Sequence, residues 1–247
     1  MKGIDISQGS GGVDFHQLKK DGYDFVIIRA GYGSDMSQKD KRFDEYVRGA
    51  LDAGLHVGAY WFIYARTFDE ARKNGECFAD VLERFKGKLD MPVFIDYEYD
   101  STRYYEQVTG AKETKEIATQ MIHIAAGYME IRGYYTGVYL NPDYILHHVN
   151  LDPLMRYTLW LAEWKNPTTP PSYECAIWQF KGDTKTQYAS GGIDLDLCYQ
   201  TDLPAVIRSG GFNGFEKKQD SDPVTVQPAD FFGRSVRILS NGTWEYV

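Results

Sequence analysis

Eight short apolar runs, the early ones each followed by a stretch of helical periodicity, set the narrowest limit on how this chain can fold. The runs are Gly3 to Ile6, Phe25 to Arg29, Val57 to Phe62, Val93 to Tyr97, Gly137 to Leu140, Thr158 to Ala162, Ala176 to Phe180 and Ile193 to Leu197. Helical patterns lie at Asp14 to Lys20, Lys39 to Ala53, Phe68 to Phe85 and Glu113 to Ile131, with a short turn near Pro142 to His147. Gly54, Gly87 and Gly133 stand where C-terminal caps belong. Such alternation predicts a parallel sheet, because parallel neighbours need a crossover that a helix supplies. After Leu140 the spacing is too short and too Pro-rich for full helices, as in Asn166-Pro167-Thr168-Thr169-Pro170-Pro171. The expectation is an α/β fold, a closed barrel on the (β/α)8 plan with an irregular second half, which fits a chain of 247 residues.

In such barrels the functional site lies at the C-terminal ends of the strands. Read there, the runs deliver Asp5, Arg29, Tyr60 with Trp61 and Tyr64, Asp96 with Glu98, Tyr139, Trp164, Trp178 with Gln179, and Asp194 with Asp196. An acidic pocket with aromatic walls is the pattern of a carbohydrate cleft, since flat rings stack on sugar faces. The segment Pro92-Val93-Phe94-Ile95-Asp96-Tyr97-Glu98-Tyr99-Asp100 is the most pointed of these ends. Residues two apart in a strand face the same way, so Asp96 and Glu98 project into one space. Like charges at close range raise the pKa of one partner, leaving a proton donor beside an anion near neutral pH, the equipment for splitting a glycosidic bond. Taken alone, an Asp-x-Glu tripeptide is common and more often solvated; the acids at other strand ends give it weight.

Composition narrows the alternatives. A net charge of −8 without any Lys/Arg cluster argues against nucleic acid as a partner. Three cysteines, Cys77, Cys175 and Cys198, lack metal or disulfide spacing and read as buried thiols, and the five histidines show no ligand spacing, so neither a metal nor a cofactor is expected. No apolar run approaches the roughly 18 residues of a membrane span, so membrane insertion is not expected. The first strand begins by Gly3, leaving no room for a leader; the expectation is a cytosolic product released as a phage or prophage lysin, or a secreted one from which a leader was removed.

Domain boundaries are expected at 1–206 for the barrel, 207–223 for a linker running through Ser209-Gly210-Gly211 and Lys217 to Asp222, and 224–247 for a short β-hairpin appendage. The appendage holds strand-like runs at Val224 to Val226, Ser235 to Leu239 and Thr243 to Val247, the last two joined by an Asn241-Gly242 turn. It is too short for a secure core of its own, and is expected to pack on the barrel or to belong to a wall-binding module.

Seven motifs in order, Gly3-Ile4-Asp5-Ile6-Ser7-Gln8-Gly9, Val26-Ile27-Ile28-Arg29-Ala30-Gly31-Tyr32-Gly33, Gly58-Ala59-Tyr60-Trp61-Phe62, Asp96-Tyr97-Glu98, Leu159-Trp160-Leu161-Ala162, Ile177-Trp178-Gln179-Phe180 and Gly192-Ile193-Asp194-Leu195-Asp196, together resemble the family 25 glycoside hydrolases, the Chalaropsis-type lysozymes of fungi, bacteria and phage endolysins. The resemblance implies an irregular TIM-like (βα)5(β)3 barrel and N-acetylmuramidase activity on bacterial peptidoglycan glycan strands, at the β-1,4 bond between N-acetylmuramic acid and N-acetylglucosamine. It implies Glu98 as general acid and Asp96 as stabiliser of the developing charge or of the substrate's acetamido group. Asp5 and Asp194 fall on the remaining acidic positions, to tune the pair and hold the sugar. Asp196 departs from many relatives, which carry Asn there.

Sugar contacts are expected from Tyr60, Trp61, Tyr64, Tyr139, Trp164, Trp178, Gln179, Arg29 and Asp196, and Trp160 is expected in the outer core layer. The Asp96 and Glu98 Cα atoms lie about 6.6 Å apart in a strand, which decides neither the retaining nor the inverting separation. The resemblance implies retention through the substrate's N-acetyl carbonyl, with Asp96 as a rival nucleophile. A non-catalytic glycan-binding barrel and a chitinase-like glycosidase are the alternative readings.

Overall fold

In the computed structural model, which describes residues 1–217 and two short strands beyond them, all eight apolar runs are strands. They are β1 (Lys2–Ile6), β2 (Phe25–Tyr32), β3 (His56–Phe62), β4 (Val93–Asp96), β5 (Thr136–Leu140), β6 (Thr158–Ala162), β7 (Ile177–Lys185) and β8 (Gly192–Cys198). They close into a barrel in sequence order. Neighbours from β1 to β7 run parallel, whereas β8 runs antiparallel to both β7 and β1.

Helices α1 (Phe15–Lys20), α2 (Phe43–Asp52), α3 (Phe68–Leu82), α4 (Tyr99–Thr109) and α5 (Lys115–Ile131) make the crossovers of the first four units. A π-helical turn at Tyr144–His148 and a 3-10 turn at Asp152–Leu154 join β5 to β6, and loops join the last three strands. Asp14, Thr67 and Thr114 cap three of the helices, each side chain accepting an N–H of the first turn. On α2 the buried residues Phe43, Tyr46, Val47 and Ala50 recur at helical spacing and face the sheet. Among the described residues no helix is long and apolar enough to cross a membrane.

Both faces of these strands are buried, one against the helices and one inside the barrel. Val26, Ile28, Val57, Ala59 and Ile95 belong to the helix-facing layer, whereas Phe25, Ile27, Phe94, Trp160 and Ile177 fill the interior. Two glycines make that filling possible. A Cβ on Gly3 would stand 2.3 Å from the Phe25 ring, and one on Gly137 would stand 2.4 Å from the Phe94 ring. The lower barrel is therefore plugged with rings, which raises the floor of any cleft to its upper end.

Two elements escape the sequence pattern. Helix α4 begins directly after Glu98 and buries only Ser101 and Tyr105, so it carries almost no apolar periodicity. The second is α6 (Leu203–Gly210) with the 3-10 turn Phe212–Gly214, which corrects the linker expected from 207. Leu203 and Ile207 pack into the barrel interior cluster, and Arg208 pairs with the buried Asp90. Ser209-Gly210-Gly211 ends this helix, Gly211 adopting φ +75 as its cap. Asn213, almost fully buried, donates to the Leu89 and Met91 carbonyls at 2.8 and 3.1 Å and accepts from the Tyr135 N–H at 2.8 Å. Residues 207–214 thus form the barrel's lower closure.

Further on, β9 (Val236–Ile238) and β10 (Trp244–Tyr246) pair antiparallel. The strand expected at Val224 to Val226 and the turn expected at Asn241-Gly242 lie outside the described residues.

Asn213→Ala removes three buried hydrogen bonds at once, and is expected to cost about 2–4 kcal/mol of unfolding free energy. Urea unfolding measures it; a loss under about 0.5 kcal/mol would detach the 203–214 segment from the cooperative unit of the barrel.

Candidate active site

Above the aromatic plug, the inward side chains turn polar. Asp5, Arg29, Tyr60, Phe62, Asp96, Tyr139, Trp160, Gln179 and Asp194 line one cleft of about 360 Å³, joined at its rim by Glu98, Tyr32, Tyr64 and Asp100. The register explains the convergence: Phe62 lies beside Asp96, Asp96 beside Tyr139, Tyr139 beside Trp160, and Asp5 opposite Asp194.

The strand and helix junction at β4 displays the two acids. Asp96 is the last residue of β4, and Glu98 is the extended N-cap of α4 with φ −147. The Glu98 N–H donates to Ser101 Oγ at 3.3 Å and its carbonyl accepts from the Ser101 N–H at 2.8 Å, so the backbone makes the cap and the carboxyl is left for the cleft. Tyr97 points the other way and is buried; its hydroxyl donates to Glu113, which also accepts from Thr102 Oγ1 at 2.7 Å. That outward anchor holds the backbone between the two acids.

Gln179 is the hub of the opposite wall. Its Oε1 accepts from Tyr139 Oη at 3.0 Å and from Trp164 Nε1 at 2.9 Å, and its Nε2 donates to Asp5 Oδ2 at 2.8 Å. Two donors on one oxygen leave the amide no other orientation. Asp194 Oδ1 accepts the Asp183 N–H at 2.6 Å, and Asp183 takes a left-handed φ of +42 to offer it. Arg29 is the only cation on the cleft wall among the described residues, and its Nε donates to the buried Asp40 at 3.0 Å. Among the described residues no group of three or more His, Cys, Asp or Glu is arranged to hold a metal ion.

Burial dominates the electrostatics. It pushes Asp96 well above the ordinary carboxylate range, with the Glu98 charge adding to the rise and Arg29 opposing it. Glu98 is raised by burial too, against Arg103 and with Asp194. Asp5 is raised by burial, then by Asp194 and Asp196. Neighbouring carboxyls titrate as a group, so these acids lose their protons in spread steps, some of them above the ordinary carboxylate range.

The structure corrects several expected contacts. Trp61 and Trp178 face outward: Trp61 stacks on Phe78 of α3 at 5.7 Å and donates to the Gly33 carbonyl, and Trp178 donates to the Glu163 carbonyl, both fully buried. Trp160, expected outside, is the ring on the cleft floor. Asp196 is fully buried and does not line the cleft, because antiparallel β8 enters from the rim and places Asp196 opposite Gly3, one layer below Asp194. Trp164 is 66 % exposed at the rim and reaches the site through Gln179. Tyr64 stacks on Phe62 at 4.8 Å and meets Tyr32 and Tyr104 edge-on. Phe62 and Asp100 were readable as positions two beyond Tyr60 and Glu98; Asp100 belongs to the first turn of α4.

Residues 4–189 match the sequence profile described as Glycosyl hydrolases family 25. An autolytic lysozyme of Clostridium acetobutylicum is 28 % identical over 198 residues, which are 79 % of this chain and 55 % of that one. The chain thus spans about half the length of that curated relative. Among solved structures, the bacterial lysozyme of Streptomyces coelicolor superposes with a TM-score of 0.68 at 20 % identity, over 83 % of this chain and 95 % of its own. A family 25 glycosyl hydrolase of Bacillus anthracis gives 0.65 at 22 % identity, over 83 % and 92 %. The profile match covers well over half of the chain: the chain belongs to family 25 of the glycosyl hydrolases.

Proposed function

We propose that the protein is a peptidoglycan hydrolase of the cell wall, a muramidase cleaving the β-1,4 bond between N-acetylmuramic acid and N-acetylglucosamine. One observation carries this reading: Asp96 and Glu98 leave a single strand end on the same side, into a cleft walled by Tyr60, Phe62, Tyr139 and Trp160. Family membership and the lysozyme relative support the substrate class.

Glu98 is the general acid. Its protonated carboxyl gives a proton to the glycosidic oxygen as the C–O bond breaks, and recovers one from the water that completes hydrolysis. Asp96 supplies negative charge beneath the developing oxocarbenium ion, or accepts the N–H of the acetamido group. Burial favours the protonated form of the deeper Asp96. A bound sugar reverses that preference: an acetamido N–H donated to Asp96 stabilises its charged form, while water stripped from the rim raises Glu98. Asp5 and Asp194 hold the sugar and tune the pair. Tyr60, Tyr64 and Tyr139 offer ring faces and hydroxyls, and Arg29 a guanidinium edge, to the glycan.

Glu98→Gln is expected to lower cleavage of purified peptidoglycan by about a thousandfold while glycan binding persists. Mass spectrometry of borohydride-reduced fragments should show reduced N-acetylmuramic acid ends from the unaltered protein alone. Equal cleavage by both would remove Glu98 from the chemistry, and cleavage by neither would favour a glycan-binding barrel. Asp194→Asn removes a charge that raises Glu98, so the alkaline limb of the pH–rate profile should move to lower pH. An unmoved limb would mean that Glu98 does not feel Asp194.

A further inference from the structure

Asp196 is a carboxyl inside the barrel that touches no cleft surface. It sits on β8 opposite Gly3 of β1 and Gln179 of β7. Its Oδ1 accepts the Trp160 Nε1–H at 2.9 Å, and its Oδ2 is buried without a hydrogen-bond donor. Beneath it the interior holds Phe94, Ile177 and Cys198. A full negative charge there would rest on one neutral N–H, a placement that costs several kcal/mol without a cation. The cation on the cleft wall, Arg29, is already paired with Asp40. Above lies Asp5, two residues along β1 from Gly3, its carboxyl within hydrogen-bond reach of the carboxyls of both Asp196 and Asp194. Two carboxyl groups can bond only when one carries a proton.

We propose that Asp5 and Asp196 hold one proton between them as a buried acid–carboxylate pair, and that Asp196 is a positioning residue that fixes Asp5 from below and keeps this wall from gathering a third charge. The Gln179 amide, locked by Tyr139 and Trp164, donates to Asp5 Oδ2. Asp5 is then held from two sides, by an amide N–H and by a shared proton. Asp194, held by the Asp183 N–H, is the member of the trio best placed to carry charge, and that charge raises Glu98. This last consequence for catalysis rests on the function proposed above; the proton pair does not.

The ionisable groups facing the pair are Asp194 and Cys198 on β8, Tyr60 on β3, Tyr139 on β5 and, toward Asp5, Arg29 on β2 and Asp96 on β4. Both tyrosines lie well above their ordinary range and stay neutral. Burial pushes Asp196 up to about 8 and raises Asp5 as well, so at least one of the two carboxyls keeps its proton through neutral pH. An unfolded aspartate loses its proton near pH 3.9. The folded state therefore binds a proton that the unfolded state has released. The stability this confers is fully present below about pH 4 and is lost as pH rises to about 8.

Asn at 196 keeps the shape and the Trp160 contact and can donate to Asp5, but holds no proton. The difference in Tm, Asp196→Asn minus the unaltered protein, should climb from pH 4 to about pH 8 and then level off; a flat or falling difference would overturn the pair. Infrared difference spectra at pH 7 with 13C-aspartate should show one protonated carboxyl C=O band that Asp196→Asn lacks, and loss of a carboxylate band alone would also overturn it. On peptidoglycan, Asp196→Ala should lower kcat by about ten- to a hundredfold, with KM less affected and Asp196→Asn recovering most of the loss. Equal losses would overturn the positioning role. The spectra and melting curves need no substrate, so a protein that passes both and cuts no peptidoglycan would refute the proposed function and leave the pair standing.

Discussion

A closed barrel of eight strands must fill its own interior, and nearly every feature of the site follows from how that filling is divided. Inward positions alternate with outward ones through the body of the barrel, so a strand can supply one apolar side chain to the plug and one polar group above it. Phe94 and Asp96 divide β4 in this way, and Ile27 and Arg29 divide β2. The rings of Phe25 and Phe94 fit because Gly3 and Gly137 concede the space of a side chain beside them. A cavity open to the bottom would hydrate the acids from below and return them toward ordinary carboxylate behaviour. The plug and the lower closure by Leu203, Ile207 and Asn213 are thus part of the electrostatics of the cleft as well as of its stability.

The acids themselves are costly, and the structure offsets that cost with neutral donors rather than with cations. Gln179 donates to Asp5, Trp160 to Asp196 and the Asp183 backbone to Asp194, while Arg29 is mostly engaged by Asp40. A buried ion pair would have fixed each carboxylate in its charged form. Neutral donors leave protonation open, which is what a cleft that must hold both a proton donor and an anion requires. The strained φ of Asp183 fits this logic, since the left-handed turn aims an N–H at Asp194 without adding a positive charge.

The eight strands and the pairing of Asp96 with Glu98 were legible in the sequence because β-runs separated by amphipathic stretches, and acids two apart at a strand end, are local signals. Which way each tryptophan faces was not. Both sides of Leu159-Trp160-Leu161 and of Tyr60-Trp61-Phe62 are apolar, so alternation carries no label for inside and outside. Only contacts from elsewhere decide it: Phe78 claims Trp61, and Asp196 claims the Trp160 N–H. Helix α4 was hidden for the opposite reason, since it lies mostly in water and its ends are marked by Glu98 and Gly110 rather than by an apolar stripe.

The direction of β8 was hidden by polarity at the end of β7. Lys181-Gly182-Asp183-Thr184-Lys185 extends β7 past the barrel with alternate residues exposed, so an apolar reading stops at Phe180 and leaves a gap that looks long enough for a crossover. With the extension counted, only a tight connection separates Lys185 from Gly192, and a tight connection allows only an antiparallel partner. That reversal decides the fate of two aspartates. In a parallel eighth strand Asp196 would reach the rim and Asp194 would lie beneath it; in the antiparallel strand Asp194 faces Asp5 at the cleft and Asp196 goes under. One hairpin therefore separates an acid that meets solvent from an acid that must share a proton.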